Sequence, residues 1–118
     1  MRLGSGAYEG PYSFVSRFED GPGTNPEELI AAAHAGCYSM ALSSNLGKAG
    51  HTPTSIDTTA TVHLNPPDGI TKIELATVAV VPGLDDAEFQ KIAEETKSTC
   101  PVSKALSAVE TTLTAQLG

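Results

Sequence analysis

At 118 residues the chain has room for one domain with a modest core. Its formal net charge of −7, with no lysine cluster or basic stripe, argues against nucleic acid or an anionic membrane as the main partner. Its two cysteines, Cys37 and Cys100, are too few for the disulfide framework of a small secreted protein.

The first ten residues, MRLGSGAYEG, are Gly-rich and lack the apolar run of a secretory signal, so a cytoplasmic address is expected. They read as a flexible lead or as the stump of a longer first strand. Pro11 to Glu19 alternates and predicts a short strand. Tyr12, Phe14, Ser16 and Phe18 fall on one face, and Ser13, Val15 and Arg17 on the other. Asp20 to Thr24 follows as a turn.

Asn25 to Gly50 predicts the longest element, a central helix. Asn25 is a good N-cap, Pro26 suits the first helical position, and Glu28 stands where it can reach back to close a capping box. From Leu29 to Asn45 there is no formal charge. The run is broken by His, Gly, Ser and Asn, so it reads as a buried core helix and not as a membrane span. Gly47 and Gly50 supply its stop.

Thr54 to Leu64 reads as a strand, with Ile56, Thr58, Ala60, Val62 and Leu64 inward. Asn65 to Gly69 is a turn, and Ile70 to Val81 returns as the second arm of an antiparallel hairpin. Lys72 and Glu74 face out on that arm. Ala76 to Val81 is apolar on both faces and calls for cover by the sheet or a partner. A second helix starts at Asp85, with a capping box from Asp85 to Glu88 and an apolar staple from Leu84 to Phe89. Phe89, Ile92, Ala93 and Thr96 make its inner stripe. Cys100-Pro101 opens a short third helix, and Ala108 to Leu117 closes the chain as a strand. The order β, α, β, β, α, α, β, without repeat or linker, predicts one domain over residues 1–118. Its class is α+β, with a largely antiparallel sheet and a long buried central helix.

A thiol reacts as its thiolate, so the chemistry turns on what lowers each pKa. Cys100 precedes a helix start, where unpaired N–H groups favour an anion. Cys37 lies about three turns into its helix, beyond that effect, and needs a cation brought by folding. Arg17, one of two arginines in the chain, is the natural candidate, against the plainer reading of a solvated strand residue. Glu27 is free to orient a guanidinium if Glu28 is occupied in the capping box; otherwise both are first-turn acids. Ten residues separate Glu27 from Cys37, about 15 Å of helix rise, so one straight helix cannot bring them together. His34, one turn before Cys37, is a possible base for the thiol, with simple packing as the commoner role. His51 and His63 read as surface residues, and Tyr12 and Tyr38 as packing or pocket wall. Neither a four-ligand metal set nor a Gly-rich phosphate loop is present, so no metal and no cofactor are expected.

The stretch GTNPEELIAAAHAGCYSMALSSNLGKAGHTPTSIDTTATV, then TKIELATVAVVPGLD and CPVSKAL in order, closely resembles the OsmC branch of the OsmC/Ohr hydroperoxide reductases, from about Tyr12 to Leu117. The resemblance implies a thiol peroxidase acting on organic hydroperoxides, and less well on hydrogen peroxide. It places Cys37 in the peroxidatic position of the AHAxC motif and Cys100 in the resolving position of CPVS. It makes Arg17 the group that stabilises the thiolate and orients the peroxide, and Glu27 the carboxylate that positions Arg17. It also implies an intertwined homodimer with sites at the subunit interface, no cofactor, and an external dithiol as reductant. Family members usually carry a further amino-terminal β-hairpin before the position of Leu3, and this sequence begins in the middle of that region. From a different class, a binding or stress-response module would use both thiols as packing residues. A Cys37–His34 hydrolase is disfavoured because no oxyanion hole is signalled and Cys100 is then superfluous.

Overall fold

The computed structural model describes residues 1–18 and 21–118. In chain order the elements are α1 (Val15–Phe18), α2 (Pro26–Lys48), β1 (Ser55–Asn65), β2 (Gly69–Val80), α3 (Asp86–Thr99), α4 (Pro101–Ala105) and β3 (Glu110–Leu117).

Helix α2 starts as its sequence dictates. Asn25 is extended and its side chain accepts from Glu28 N–H. Glu28, however, does not reach back to the cap. Its carboxylate accepts the Thr24 hydroxyl instead, so the capping box is half made. The helix stops at Lys48. Gly50, at φ +89°, supplies the left-handed turn that lets His51 N–H reach Leu46 O at 2.9 Å.

β1 and β2 form the expected antiparallel hairpin, from Ser55 opposite Val80 to Asn65 opposite Gly69. β3 pairs with β2 in parallel, from Lys72 opposite Glu110 to Ala79 opposite Leu117. The sheet is therefore mixed, β1-β2-β3, with one antiparallel and one parallel seam. Two helices fill the connection after β2, and a crossover of that length returns the chain alongside β2 in the same direction. The α+β class stands.

The core lies between the sheet and the two longer helices. Tyr38, Leu42 and Leu46 of α2 meet Leu75 and Ala79 of β2 and Phe89, Ile92 and Ala93 of α3. With Thr96, the α3 stripe is the one its periodicity predicts. A chain of hydroxyls runs through the interface: Ser39 donates to Thr58 at 2.7 Å, and Thr58 lies 2.9 Å from Thr77. It links α2, β1 and β2, and among the described residues no buried hydroxyl is left unpaired.

Two expectations need correction. Pro11 to Glu19 is not a strand. Tyr12 makes a single bridge to Thr24, and Val15–Phe18 forms one helical turn, while Glu19 lies outside the described residues. Local hydrogen bonds decide this, because Ser13 Oγ accepts Ser16 N–H and Ser16 Oγ donates to Ser13 O. Nor is α2 buried all round. Its buried positions are His34, Tyr38, Leu42 and Leu46, a stripe of period four. The sheet covers one side only, and Met40 on the other is 76% exposed. Residues 1–10 close on themselves through an Arg2–Glu9 bridge, with Leu3 N–H on Tyr8 O.

Candidate active site

Cys100 is a corner residue, and the Cys-Pro dipeptide makes the corner. A proline disfavours the helical region for the residue before it, and Cys100 is extended, at φ −56° and ψ 126°. Its N–H ends α3 on Thr96 O, and its own carbonyl starts α4 by accepting from Lys104 N–H, both at 3.0 Å. The sulfur at this corner is fully buried against the core.

Cys37, half-buried on α2, stands beside it. The backbone N–H of Val102, in the first turn of α4, acts on both sulfurs. The two thiols are close enough to hydrogen-bond, so they titrate as a pair and not as separate groups. Burial pushes the Cys37 thiol up, and the neighbouring Cys100 adds to this against the pull of Val102 N–H. Burial also opposes ionisation of Cys100, but the Ser103 N–H, the Cys37 thiol, the Ser103 hydroxyl and the Val102 N–H together carry it below its ordinary range. Within one chain these contacts favour the pair's negative charge on Cys100, with the Cys37 thiol donating to it.

His34 does not serve Cys37 as a base. Its Nε2 lies 2.7 Å from Ser103 Oγ, across the α2–α4 contact. It is fully buried, and Nδ1 has no hydrogen-bond partner among the described residues. Burial lowers its pKa, so the ring is neutral at pH 7. Tyr38, also fully buried, donates to Ala93 O at 3.0 Å and packs the core. Its hydroxyl is pushed well above its usual range, chiefly by burial, and stays protonated. His63 is a surface residue, 2.8 Å from Glu74.

Arg17 and Glu27 meet at the other end of α2. Arg17 Nε donates to Glu27 Oε1 at 2.6 Å and Nη2 to Oε2 at 3.1 Å, a two-pronged pair whose planar geometries match. The Glu27 side chain is 12% exposed and raises the affinity of the guanidinium for its proton, through their hydrogen bond first. The segment carrying Arg17 is tied down by Asn25 Nδ2, which donates to Ser16 O at 2.8 Å. Beside the pair opens a cleft of about 380 Å³ lined by Arg17, Phe18, Glu27, Ala31, Ala60 and Val62.

The four expected site residues therefore fall into two halves, Cys37 with Cys100 and Arg17 with Glu27, about 15 Å apart along one helix. Arg17 is not among the groups acting on the Cys37 sulfur. Val102 and Ser103 were visible in CPVS, but nothing in their residue types announced a role. The signal was positional, since the second and third residues of a helix carry unpaired N–H groups. Among the described residues no cluster of three His, Cys, Asp or Glu side chains is gathered for a metal ion, and no helix is long and apolar enough to cross a membrane.

Two cysteines brought together between a sheet-backed helix and a Cys-Pro corner define a small α+β domain of the dithiol type. Residues 19–114 match the family model described as OsmC-like protein, and the chain belongs to that family. It is 57% identical over 110 residues to "Peroxiredoxin OsmC" of Escherichia coli (strain K12), covering 91% of this chain and 76% of that protein. It is 34% identical over 100 residues to an "Organic hydroperoxide resistance protein" of Xanthomonas axonopodis pv. citri (strain 306), covering 80% and 68%. Among solved structures, an organic hydroperoxide resistance protein from Elizabethkingia anophelis, with crystallant-derived thiocyanate bound, superposes with a TM-score of 0.74. That match covers 99% of this chain and 86% of the other at 25% identity.

Proposed function

We propose that the chain is a thiol peroxidase that reduces organic hydroperoxides to alcohols, and hydrogen peroxide less well. The observation that carries this reading is the pairing of Cys37 with Cys100, with the Val102 N–H acting on both. The names borne by its relatives, peroxiredoxin and organic hydroperoxide resistance protein, point to the same chemistry.

The Cys37 thiolate attacks the distal peroxide oxygen. A sulfur–oxygen bond forms, the O–O bond breaks, and the departing alkoxide takes a proton to leave as alcohol. Cys37 is left as a sulfenic acid. Cys100 then attacks that sulfur, forming the disulfide and expelling hydroxide, which leaves as water. An external dithiol restores both thiols by exchange.

Burial raises the Cys37 pKa, so its thiolate requires a cation that its own chain holds elsewhere. In our reading the Arg17–Glu27 pair of a second copy supplies it, and the working form is a homodimer. Supporting this, the chain exposes Phe14 at 73%, Met40 at 76%, Val78 at 42% and Val80 at 37%, apolar surface of the kind that marks an interface. Gly36 of α2 has nothing within 4 Å of where a side chain would begin. A mid-helix glycine costs about 1 kcal/mol relative to alanine, and here it leaves room for another backbone. Two free thiols suit a cytoplasmic address.

The test is titration of the reduced protein with cumene hydroperoxide, followed by mass spectrometry of free thiols. Loss of two thiols per chain with a Cys37–Cys100 link is expected. Retention of both thiols, with neither open to alkylation in the folded protein, would sink the reading in favour of a non-catalytic module.

A further inference from the structure

The two stretches that meet at the Cys-Pro corner are spaced alike. His34 stands three residues before Cys37 on α2, and Ser103 stands three residues after Cys100. His34 Nε2 lies 2.7 Å from Ser103 Oγ, and Cys37 packs against the buried cluster that contains Cys100. Both contacts cross the same seam, one turn apart on α2, as a polar rung beside a sulfur rung. Little else holds α4 in place. It is five residues long, too short to be stable by itself, with no buried side chain and no side-chain cap. Val102, half-buried, is its apolar foothold on the core. Among the described residues the His34–Ser103 pair is the one side-chain hydrogen bond joining α4 to α2. His34 is fully buried, and its Nδ1 has no partner among the described residues. An apolar side chain would fill that place without the cost of the bare nitrogen, so the worth of the ring lies in Nε2.

We propose that the His34–Ser103 hydrogen bond sets the reach between Cys37 and Cys100, and so how readily their disulfide forms. Both are positioning residues: they act through the placement of α4 and touch neither peroxide nor reductant. The Val102 contact alone tolerates sliding of α4 along α2, whereas a directional bond fixes where the corner sits. In the oxidised chain the S–S bond itself ties the corner to α2. Loss of the rung therefore frees the reduced chain more than the oxidised one and shifts the couple toward the dithiol. The inference rests on the two cysteines working as a pair, but not on peroxide as their oxidant.

The test is equilibration of the full chain with mixtures of reduced and oxidised dithiothreitol, quenched by alkylation and read by mass spectrometry. Two electrons and two protons pass between dithiothreitol and the Cys37–Cys100 pair, so the linked fraction gives the equilibrium constant. A merely stabilising contact would lower the urea midpoint of reduced and oxidised chains alike and leave this constant where it is. In Ser103→Ala and in His34→Leu the constant for disulfide formation should fall roughly tenfold, which moves the midpoint about 30 mV more positive. Ser103→Thr, which keeps the hydroxyl, should hold it. The double variant, His34→Leu with Ser103→Ala, should fall no further than either alone. An unchanged constant in either single variant, additive falls in the double, or an equal fall in the alanine and threonine variants overturns the rung. The expected shifts in a protein that consumes no cumene hydroperoxide would uphold the rung and sink the peroxidase reading.

Discussion

Arg17 grips Glu27, in the first turn of the helix whose fourth turn carries Cys37, through two hydrogen bonds of 2.6 and 3.1 Å. The guanidinium is fastened to the start of this helix and the thiol rides further along it, so the helix's length keeps them apart. A shared site makes a sharp prediction. Cys37→Ser chains and Arg17→Ala chains should each be inactive alone. Mixed one to one and allowed to exchange, half the dimers are hybrids, each with one site holding both native groups. About a quarter of the full activity should return. No recovery in a mixture shown to contain hybrids would place Arg17 and Cys37 in separate chemistry.

The two thiols are expected to divide the reaction. Cys37→Ser should abolish peroxide consumption. Cys100→Ser should consume one equivalent per chain and stop at a dimedone-reactive sulfenic acid. Peroxide stoichiometry read together with intact mass checks both. An inverse pattern would give Cys100 the peroxidatic role that its lowered pKa within one chain already invites.

Asn25 has two duties, capping α2 through Glu28 N–H and holding Ser16 O with its amide. Asn25→Asp keeps the cap and loses the amide donor, whereas Asn25→Ala loses both. The alanine variant should lose about 1 kcal/mol of stability by urea denaturation, and the aspartate variant less. Peroxidase turnover should fall in both, because both free the segment that carries Arg17.

Burial lowers the His34 pKa from its ordinary 6.5, which fixes the sign of a pH effect. As pH falls through 6.5 the unfolded chain takes up this proton before the folded one does. Stability therefore drops through that window and levels off below the folded pKa. His34→Gln should flatten the dependence of the urea midpoint on pH below 6.5. Glu74, whose carboxyl is held down by His63 and then Lys72, acts on a lower window, beneath its ordinary 4.5.

Much of the fold was legible because its cues are local. The Asn25 cap, the Leu84–Phe89 staple, the period-two rows of β1 and the Cys-Pro corner each determine nearby backbone by sterics or hydrogen bonding. The Arg17 segment was misread for the complementary reason. Its alternation suggests a strand, but a strand needs a neighbour, and the Ser13 and Ser16 hydroxyls offered the backbone a closer partner. The parallel seam and the Ser103 bridge depend on how distant elements pack, which no window of sequence contains. The uncharged face of α2 suggested burial on all sides, though a single chain has only enough sheet to cover one.

The hydroxyl row from Ser39 through Thr58 to Thr77 bears on reactivity from two residues away. Apolar packing alone tolerates some roll of a helix about its axis, since neighbouring aliphatic contacts exchange at small cost. A directional bond to β1 does not. By pinning the azimuth of α2, it holds the sulfur of Cys37 on one bearing toward the Cys-Pro corner, like a key seated in its slot. A valine at position 39 or 58 would leave the fold standing and the aim of the thiol loose.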